Sequence, residues 1–373
     1  MRIGIDYTSA VRQSAGIGRY TRGLLRAVAA LDRQNRYVLF SAGRDPANVA
    51  WPDNFRIRSL PVTDRHLAII WQRLRLPLPV EVVTGPLDLY HSPDFVLPPV
   101  LRARTVLTIH DLSFYHYPEC SSPPLLRYLM TAVPRSVRRA DMVVADSEST
   151  RQDVIELLGV PQDRVAVVYA GVEPHFTTEP AKDEADVPGR YGIRTPFILA
   201  VGTLQPRKNY ARLIRALHRL HEGYGLPHQL VIVGGKGWLY EEIEHTIAEL
   251  GLQEDRVLLA GFVRDEDLPA LYRAADVFAY PSLYEGFGIP LLESMACGTP
   301  VVTTNVSSMP EVAGEAALLV PPDDIDALAD ALARTIQDES LRDDLRQKGL
   351  RRVREFTWES AAQRLLGIYQ HVA

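Results

Sequence analysis

Glu285 and Glu293 stand eight positions apart in Glu285-Gly286-Phe287-Gly288-Ile289-Pro290-Leu291-Leu292-Glu293, two carboxylates around a glycine-flanked helix start. The preceding run Asp276–Tyr280 reads as a buried strand, and Pro290 suits a first helical turn, where its missing N–H costs nothing. Glu285 then lies in the turn and Glu293 about one turn inside the helix. Such carboxylates accept hydrogen bonds from hydroxyls, while the helix-start amides of Phe287, Gly288 and Ile289 favour an anion. The combination suits a ligand carrying sugar hydroxyls and phosphate. It also fits an ordinary strand-turn-helix with two surface glutamates, and spacing alone leaves both readings open.

Other strand-end loops carry comparable chemistry. Gly202-Thr203-Leu204-Gln205-Pro206-Arg207-Lys208-Asn209 sets two cations just before a helix, where the dipole disfavours them unless an anion is present. Ser14-Ala15-Gly16-Ile17-Gly18-Arg19-Tyr20 opens a helix running to Leu31; glycines at Gly16 and Gly18 allow close backbone approach, a weak signal by itself. His110-Asp111 follows the run Thr105–Ile109; a lone histidine there is more often a structural hydrogen-bonder, and Asp111 equally suits capping the next turn. Gly234-Gly235-Lys236-Gly237 is a further glycine-rich strand end, with no catalytic role expected for Lys236. Asp265-Glu266-Asp267 matches an Asp-x-Asp metal-holding pattern, but Asp265 precedes the helical pattern Leu268–Ala274 and is expected to cap it, with Glu266 and Asp267 complementing the dipole.

The elements that must position these loops alternate strand with helix. Runs 2–6, 37–40, 105–109, 142–145 and 165–168 are followed by a second set at 197–201, 229–233, 257–259, 277–280 and 300–303. Such alternation predicts two α/β domains with doubly wound parallel sheets covered by helices. The polar, proline-bounded stretch Thr177–Pro188 separates the sets. The expected division is a first domain over 1–176, a linker over 177–195 and a second domain over 196–357.

A chain of 373 residues, 46% hydrophobic and 23% charged, has the size and balance of a two-domain globular protein. No apolar run is long enough to span a membrane, and Met1–Asp6 enters a strand directly without a signal-peptide pattern, so a cytoplasmic protein is expected. Cys120 and Cys297 are too few for a disulfide framework or zinc site. The net charge of −5 argues against nucleic acid as a partner. Residues 1–173 hold 21 Arg and 17 acids, +4, which leaves −9 for the rest. Within that basic half, 65–75 and 125–139 mix arginines with apolar residues, a pattern open either to peripheral contact with an anionic membrane or to an amphipathic core helix.

The segment from Glu285 to Glu293 resembles the Glu-x7-Glu motif of the retaining nucleotide-sugar glycosyltransferases of family 4; Gly261–Asp276 and Ala296–Val302 also fit that family, and the likeness runs from Ile3 to the last helix. The resemblance implies a GT-B fold: two Rossmann-like domains facing a cleft, the first on the acceptor side, with a C-terminal helix (358–373) returning to it. It implies sugar transfer from a nucleoside-diphosphate sugar, GDP-mannose being mildly preferred, to a sugar, lipid-linked or other hydroxyl acceptor in surface polysaccharide or glycolipid assembly; no cofactor is expected, and no metal, since Arg207 and Lys208 would supply the positive charge a cation would bring. By the same resemblance Arg207 and Lys208 hold the pyrophosphate, and Glu293 binds the ribose. Glu285, Gly286 and the Phe287, Gly288 and Ile289 amides meet the sugar; Gly16 and Gly18 reach phosphate or sugar; the segment Gly261-Phe262-Val263 lines the base; and His110 contacts the sugar. The chain departs from the family at Thr203, where many members carry arginine; Arg207 is expected to substitute. An NAD-dependent oxidoreductase is the rival enzyme, although the Gly-x-Gly-x-x-Gly fingerprint is missing. A non-catalytic sugar-nucleotide-binding subunit is the rival outside catalysis.

Overall fold

The computed structural model describes residues 1–373 except 14–15, 44–48, 182–183, 185 and 253–254. Ser14 and Ala15 of the first glycine turn, and part of the expected linker, therefore lie outside the described residues. The chain divides into two compact units: Met1–Tyr115 with Pro124–Gly171 and Thr357–Ala373, and His116–Pro123 with Val172–Phe356.

The first unit is built on strands β1 (Arg2–Asp6), β2 (Arg36–Ala42), β3 (Phe55–Leu60), β4 (Leu89–Ser92), β5 (Arg104–Ile109), β6 (Met142–Ala145) and β7 (Val165–Val167). They form a parallel sheet in the order β3-β2-β1-β4-β5-β6-β7. Ile3, Ile5, Leu39, Phe40, Leu107 and Val143 are wholly enclosed, as strands covered on both faces require. Each such side chain contributes on the order of 1.5–3 kcal/mol by leaving water. Strands β3 and β4 were not anticipated. β3 alternates arginine with apolar residues, and β4 is Leu-Tyr-His-Ser, whose His91 is buried against partners distant in sequence and whose Ser92 bonds Val96 O just beyond the strand.

The helix Ile17–Leu31 buries Tyr20, Leu24, Leu25 and Val28 on one stripe and packs against the C-terminal helix Trp358–Val372. Gly23 makes that approach possible, since a Cβ there would lie 2.4 Å from the Trp358 ring. Further along, the Tyr369 hydroxyl meets His91 Nδ1 at 2.7 Å, while His91 Nε2 meets Thr108 at 2.8 Å. Burial, with the nearby His110, depresses the His91 pKa to about 3, so this ring is a neutral structural bridge.

The second unit repeats the plan with β8 (Phe197–Val201), β9 (Gln229–Val233), β10 (Val257–Gly261), β11 (Val277–Tyr280), β12 (Val301–Thr304) and β13 (Ala317–Val320), parallel in the order β10-β9-β8-β11-β12-β13. β13, also unanticipated, lies at the edge and is half exposed. The linker stretch is tied into this unit: Arg273 donates to Thr177 O and, from Nε at 2.6 Å, to Glu184. Gly234 lets the loops after β8 and β9 touch, because a Cβ there would stand 2.0 Å from Gly202 O.

The capping expectation for Asp265 is corrected. The helix Leu268–Ala274 has Asp267, not Asp265, at its N-cap, and the Asp267 side chain does not cap its amides. Asp267 instead accepts from the Tyr191 hydroxyl at 2.6 Å and Arg264 Nε at 2.9 Å, and pairs with Arg190 at 3.4 Å. Three charged or hydroxyl donors close by outcompete amides that solvent can satisfy.

Candidate functional site

In each sheet the chain winds outward in one direction, then crosses to the other side of its first strand, so β1 adjoins β4 and β8 adjoins β11. Ligands of open α/β sheets bind beyond the carboxyl ends of strands at such reversals. At the β8/β11 reversal lie the two loops richest in chemistry.

After β8, Pro206–Lys208 makes one tight helical turn, and Asn209, at φ 61°, leads into the helix Tyr210–Tyr224. Asn209 Nδ2 donates to Pro281 O at 3.0 Å and to Pro322 O at 2.8 Å, fixing the turn against the strand ends. Arg207 docks on the loop after β11 through its main chain, accepting from Leu283 N at 2.9 Å, and through its guanidinium, donating to Tyr284 O at 2.5 Å. Both cations then converge on one carboxylate. Arg207 lies 2.7 Å from Glu285 Oε2 and Lys208 Nζ 2.7 Å from Oε1, while Lys208 also donates to the Tyr280 hydroxyl at 2.9 Å.

Lys208 is 8% and Glu285 7% exposed. Burial pushes the Glu285 carboxyl upward, but Arg207 and then Lys208 outweigh it and hold the group at about 2. Residues expected to act separately, Glu285 on a sugar and the cations on a diphosphate, thus form one closed triad. A diphosphate approaching the cations competes with Glu285 for them.

The Glu285 backbone is braced from the loop after β12. Glu285 N donates to Ser307 Oγ at 2.9 Å, and Ser308 Oγ donates to Glu285 O at 2.9 Å and Phe287 O at 2.8 Å. The sequence gives no sign of these serines beyond their place at a strand end. Gly286 continues the turn, Gly288 takes φ 105° at the N-cap, and Ile289 begins the helix Ile289–Ala296 with Pro290 in its first turn, as expected. The Phe287 ring is buried edge-on against Phe356, so only its main chain faces the helix mouth.

Glu293, the residue expected at the ribose, is 1% exposed and accepts from the buried Tyr272 hydroxyl at 3.0 Å. Val263 is likewise 3% exposed, whereas its neighbour Phe262 is 65% exposed at the end of β10. The side chain available to a base there is Phe262, because the turn at Gly261 sends the next ring outward. The excursion His116–Pro123 was also missed: His116 stacks on Tyr284 at 4.9 Å, and Trp238 Nε1 donates to Cys120 O at 2.7 Å, which fixes the excursion beside the Glu285 loop.

The remaining residues belong to the first unit. Gly16 is the N-cap of Ile17–Leu31, open around its Cα. Gly18 is required by packing, since a Cβ would lie 2.0 Å from Gln13 O. His110 has both ring nitrogens engaged, Nδ1 with Asp146 at 2.6 Å and Nε2 with Pro93 O at 2.8 Å. A sugar hydroxyl could meet a ring nitrogen only by displacing one of them. Burial acts to lower the His110 pKa, but the Asp146 carboxylate, with Asp94 and the Pro93 carbonyl, holds it up at about 9. Asp111 accepts from Ser113 N at 2.9 Å, the local turn contact foreseen as its alternative.

Two doubly wound parallel domains with a cation-carboxylate cluster at a strand-order reversal define a nucleotide-handling α/β protein. Residues 14–176 match the model described as Glycosyltransferase Family 4, and residues 188–352 the one described as Glycosyl transferases group 1. The chain is 34% identical over 283 residues to the O-antigen chain mannosyltransferase B of Escherichia coli, covering 76% of this chain and 74% of that protein. It is 31% identical over 229 residues to the serotype-specific mannosyltransferase WbdA of the same species, covering 60% of this chain but only 28% of that longer protein. Sucrose-phosphate synthase from Thermosynechococcus elongatus superposes with a TM-score of 0.78 at 24% identity, over 100% of this chain and 98% of that one. The chain belongs to glycosyltransferase family 4 and has the GT-B fold. No helix among the described residues is long and apolar enough to cross a membrane.

Proposed function

We propose that this chain is a retaining hexosyltransferase that moves a sugar, mannose from GDP-mannose by preference, to a hydroxyl acceptor in surface polysaccharide or glycolipid assembly. The observation that carries the reading is the buried triad of Arg207, Lys208 and Glu285 at the β8/β11 reversal. Two cations around one carboxylate suit a diphosphate whose negative charge grows as the glycosidic bond breaks, and fixed charges of this kind are often the largest catalytic term. Retention needs no covalent nucleophile if acceptor and leaving group share one face of the sugar. The donor preference draws support from the mannosyltransferase names of the two bacterial relatives.

Transfer in this reading needs no metal, because Arg207 and Lys208 supply the charge a cation would bring, and Asp267 of the Asp-x-Asp match is already held by Tyr191, Arg190 and Arg264. Contact with an anionic membrane fits a groove of about 270 Å³ lined by Ile69, Ala132 and Tyr128 and rimmed by Arg65, Arg73 and Arg135, beside the exposed Leu74, Leu76 and Leu78.

The deciding experiment incubates the isolated chain with GDP-mannose, UDP-glucose and methyl glycosides, with magnesium or with excess EDTA, and identifies the product anomer by NMR. An α-mannoside formed equally under both conditions is expected. An inverted product, exclusive use of UDP-glucose, or activity lost in EDTA and restored by metal would each remove the corresponding part of the proposal; no product from any donor would favour a non-catalytic subunit. Sedimentation with anionic vesicles, absent with zwitterionic ones and abolished by R65E/R73E, tests the membrane contact.

A further inference from the structure

The strand end that carries Glu285 also holds a side chain that the triad leaves unused. Between β11 and Glu285 the main chain is pinned residue by residue. Asn209 Nδ2 donates to Pro281 O at 3.0 Å, Thr304 Oγ1 to Ser282 O at 2.7 Å, and Leu283 N to Arg207 O at 2.9 Å. Ser282 itself is 0% exposed, and its hydroxyl has no hydrogen-bond partner among the described residues. It stands beside the Glu285 carboxylate and helps to hold that group ionised, yet without the geometry of a hydrogen bond, while Arg207 and Lys208 each hold one carboxylate oxygen.

A hydroxyl shut away from water without a partner forfeits the hydrogen bonds it makes in the unfolded chain, so its presence needs a reason. The neighbour whose partners a ligand can change is Glu285. A diphosphate that draws on Arg207 and Lys208 leaves the carboxylate buried with its charge less well matched. We infer that Ser282 is a positioning residue of the donor site, whose hydroxyl donates to Glu285 when a diphosphate takes up Arg207 and Lys208. The inference rests on the transferase reading, in which that diphosphate is the leaving group. Rotation about the Cα–Cβ bond of Ser282 is the movement required, and the proton stays on the serine oxygen.

The surroundings favour this hydroxyl over its neighbours. Besides the two cations, the titratable groups facing Glu285 are Tyr210 and Tyr280, both kept neutral by burial and by the Glu285 charge. Tyr280 is engaged by Lys208 at 2.9 Å, and Tyr210 donates to Gly202 O at 3.2 Å. Ser282 is the hydroxyl left uncommitted, and a bond from it to a carboxylate is of the stronger, charge-assisted kind.

In the full chain, Ser282→Ala should separate stability from binding. Removing a hydroxyl that has no partner in the empty site should leave the ligand-free melting temperature unchanged or raised. The calorimetric dissociation constants of GDP and of inorganic pyrophosphate should both rise about 10- to 100-fold, the scale of one hydrogen bond to a charged group. Glu285, held at about 2 in the empty site, is ionised there at about pH 5. Without the serine bond the bound-state carboxylate protonates more readily. Proton uptake on GDP binding at that pH, read by calorimetry in two buffers of different ionisation enthalpy, should therefore exceed that of wild type. Dissociation constants within about twofold of wild type, or unchanged proton uptake, overturn the inference. A lowered ligand-free melting temperature overturns it too, because the hydroxyl would then support the empty site. Each of these results leaves the donor reading standing as long as wild type binds both ligands; a wild-type chain that binds neither sinks that reading and this inference with it.

Discussion

The β8/β11 and β1/β4 reversals occupy equivalent places in two sheets of the same design and carry opposite chemistry. At the first, two cations close on one carboxylate held at about 2. At the second, an imidazolium held up at about 9 sits between Asp146 and Pro93 O. The net charges run the other way: residues 1–173 carry +4 and the remainder −9. Bulk charge is therefore no guide to site charge. The arginine excess of the first half includes groove-rim side chains such as Arg65, Arg73 and Arg135, while two cations in the acidic half are carried into a buried cluster by the turn before Asn209. The same topology positions a doubly paired carboxylate in one sheet and a buried imidazolium-carboxylate pair in the other.

The largest expected effect lies in the cationic site. Glu285→Gln removes a buried carboxylate that pairs with both Arg207 and Lys208, and breaking a buried pair from one side costs about 3–5 kcal/mol. Thermal unfolding should shift down strongly and be substantially restored by GDP, whose phosphates replace the lost charge. A shift no larger than that of a surface substitution, or no recovery with GDP, would break the description of the triad as one unit. Because the Glu285 pKa is depressed from its ordinary value of 4.5, its contribution is present above that value and lost as pH falls toward about 2; the variant should lack this part of the acid dependence.

Next, Lys208→Ala should lower turnover at saturating donor about 10²- to 10³-fold, the scale of losing one preorganised charge stabiliser. If excess donor restores turnover, Lys208 acts in binding alone and the contrast between the two reversals loses its catalytic half.

The imidazolium site gives the opposite pH signature. The folded His110 pKa, about 9 against 6.5 ordinarily, contributes stability that is present below about 6.5 and lost as pH rises through 9. The shift corresponds to about 3 kcal/mol. His110→Gln should flatten that alkaline loss in denaturant titrations between pH 6 and 10, whereas His91→Gln, replacing a ring already neutral, should leave its slope in place.

Much of this was legible because parallel strands buried on both faces read as unbroken apolar runs, as in Phe197–Val201 and Val143–Ala145. β4 was not, since His91 and Ser92 look like loop residues until Tyr369, Thr108 and Val96 O are in place to satisfy them. Missing β4 hid the first reversal. In the second unit the individual residues of the triad were readable from motif and strand-end position, but their closure on one another was not. That closure depends on Asn209, Ser307 and Ser308, short polar side chains whose bonds to loops far along the chain have no local signature.

The smallest effect concerns the base. The sequence expectation was the segment Gly261-Phe262-Val263, of which Val263 is 3% exposed while Phe262 is 65% exposed at the end of β10. An aromatic ring held outward at a strand's carboxyl end offers a face to a nucleobase, and stacking of this kind is worth about 1–3 kcal/mol per base. Phe262→Ala should therefore weaken GDP binding about 5- to 100-fold in calorimetry while leaving turnover at saturating donor within a few-fold of wild type, because the base is remote from the bond that breaks. Inorganic pyrophosphate, which has no base, should bind wild type and variant alike. Equal loss for GDP and pyrophosphate would mean that Phe262 supports the loops around the triad rather than the base, and unchanged GDP binding would return the base contact to another part of the second unit.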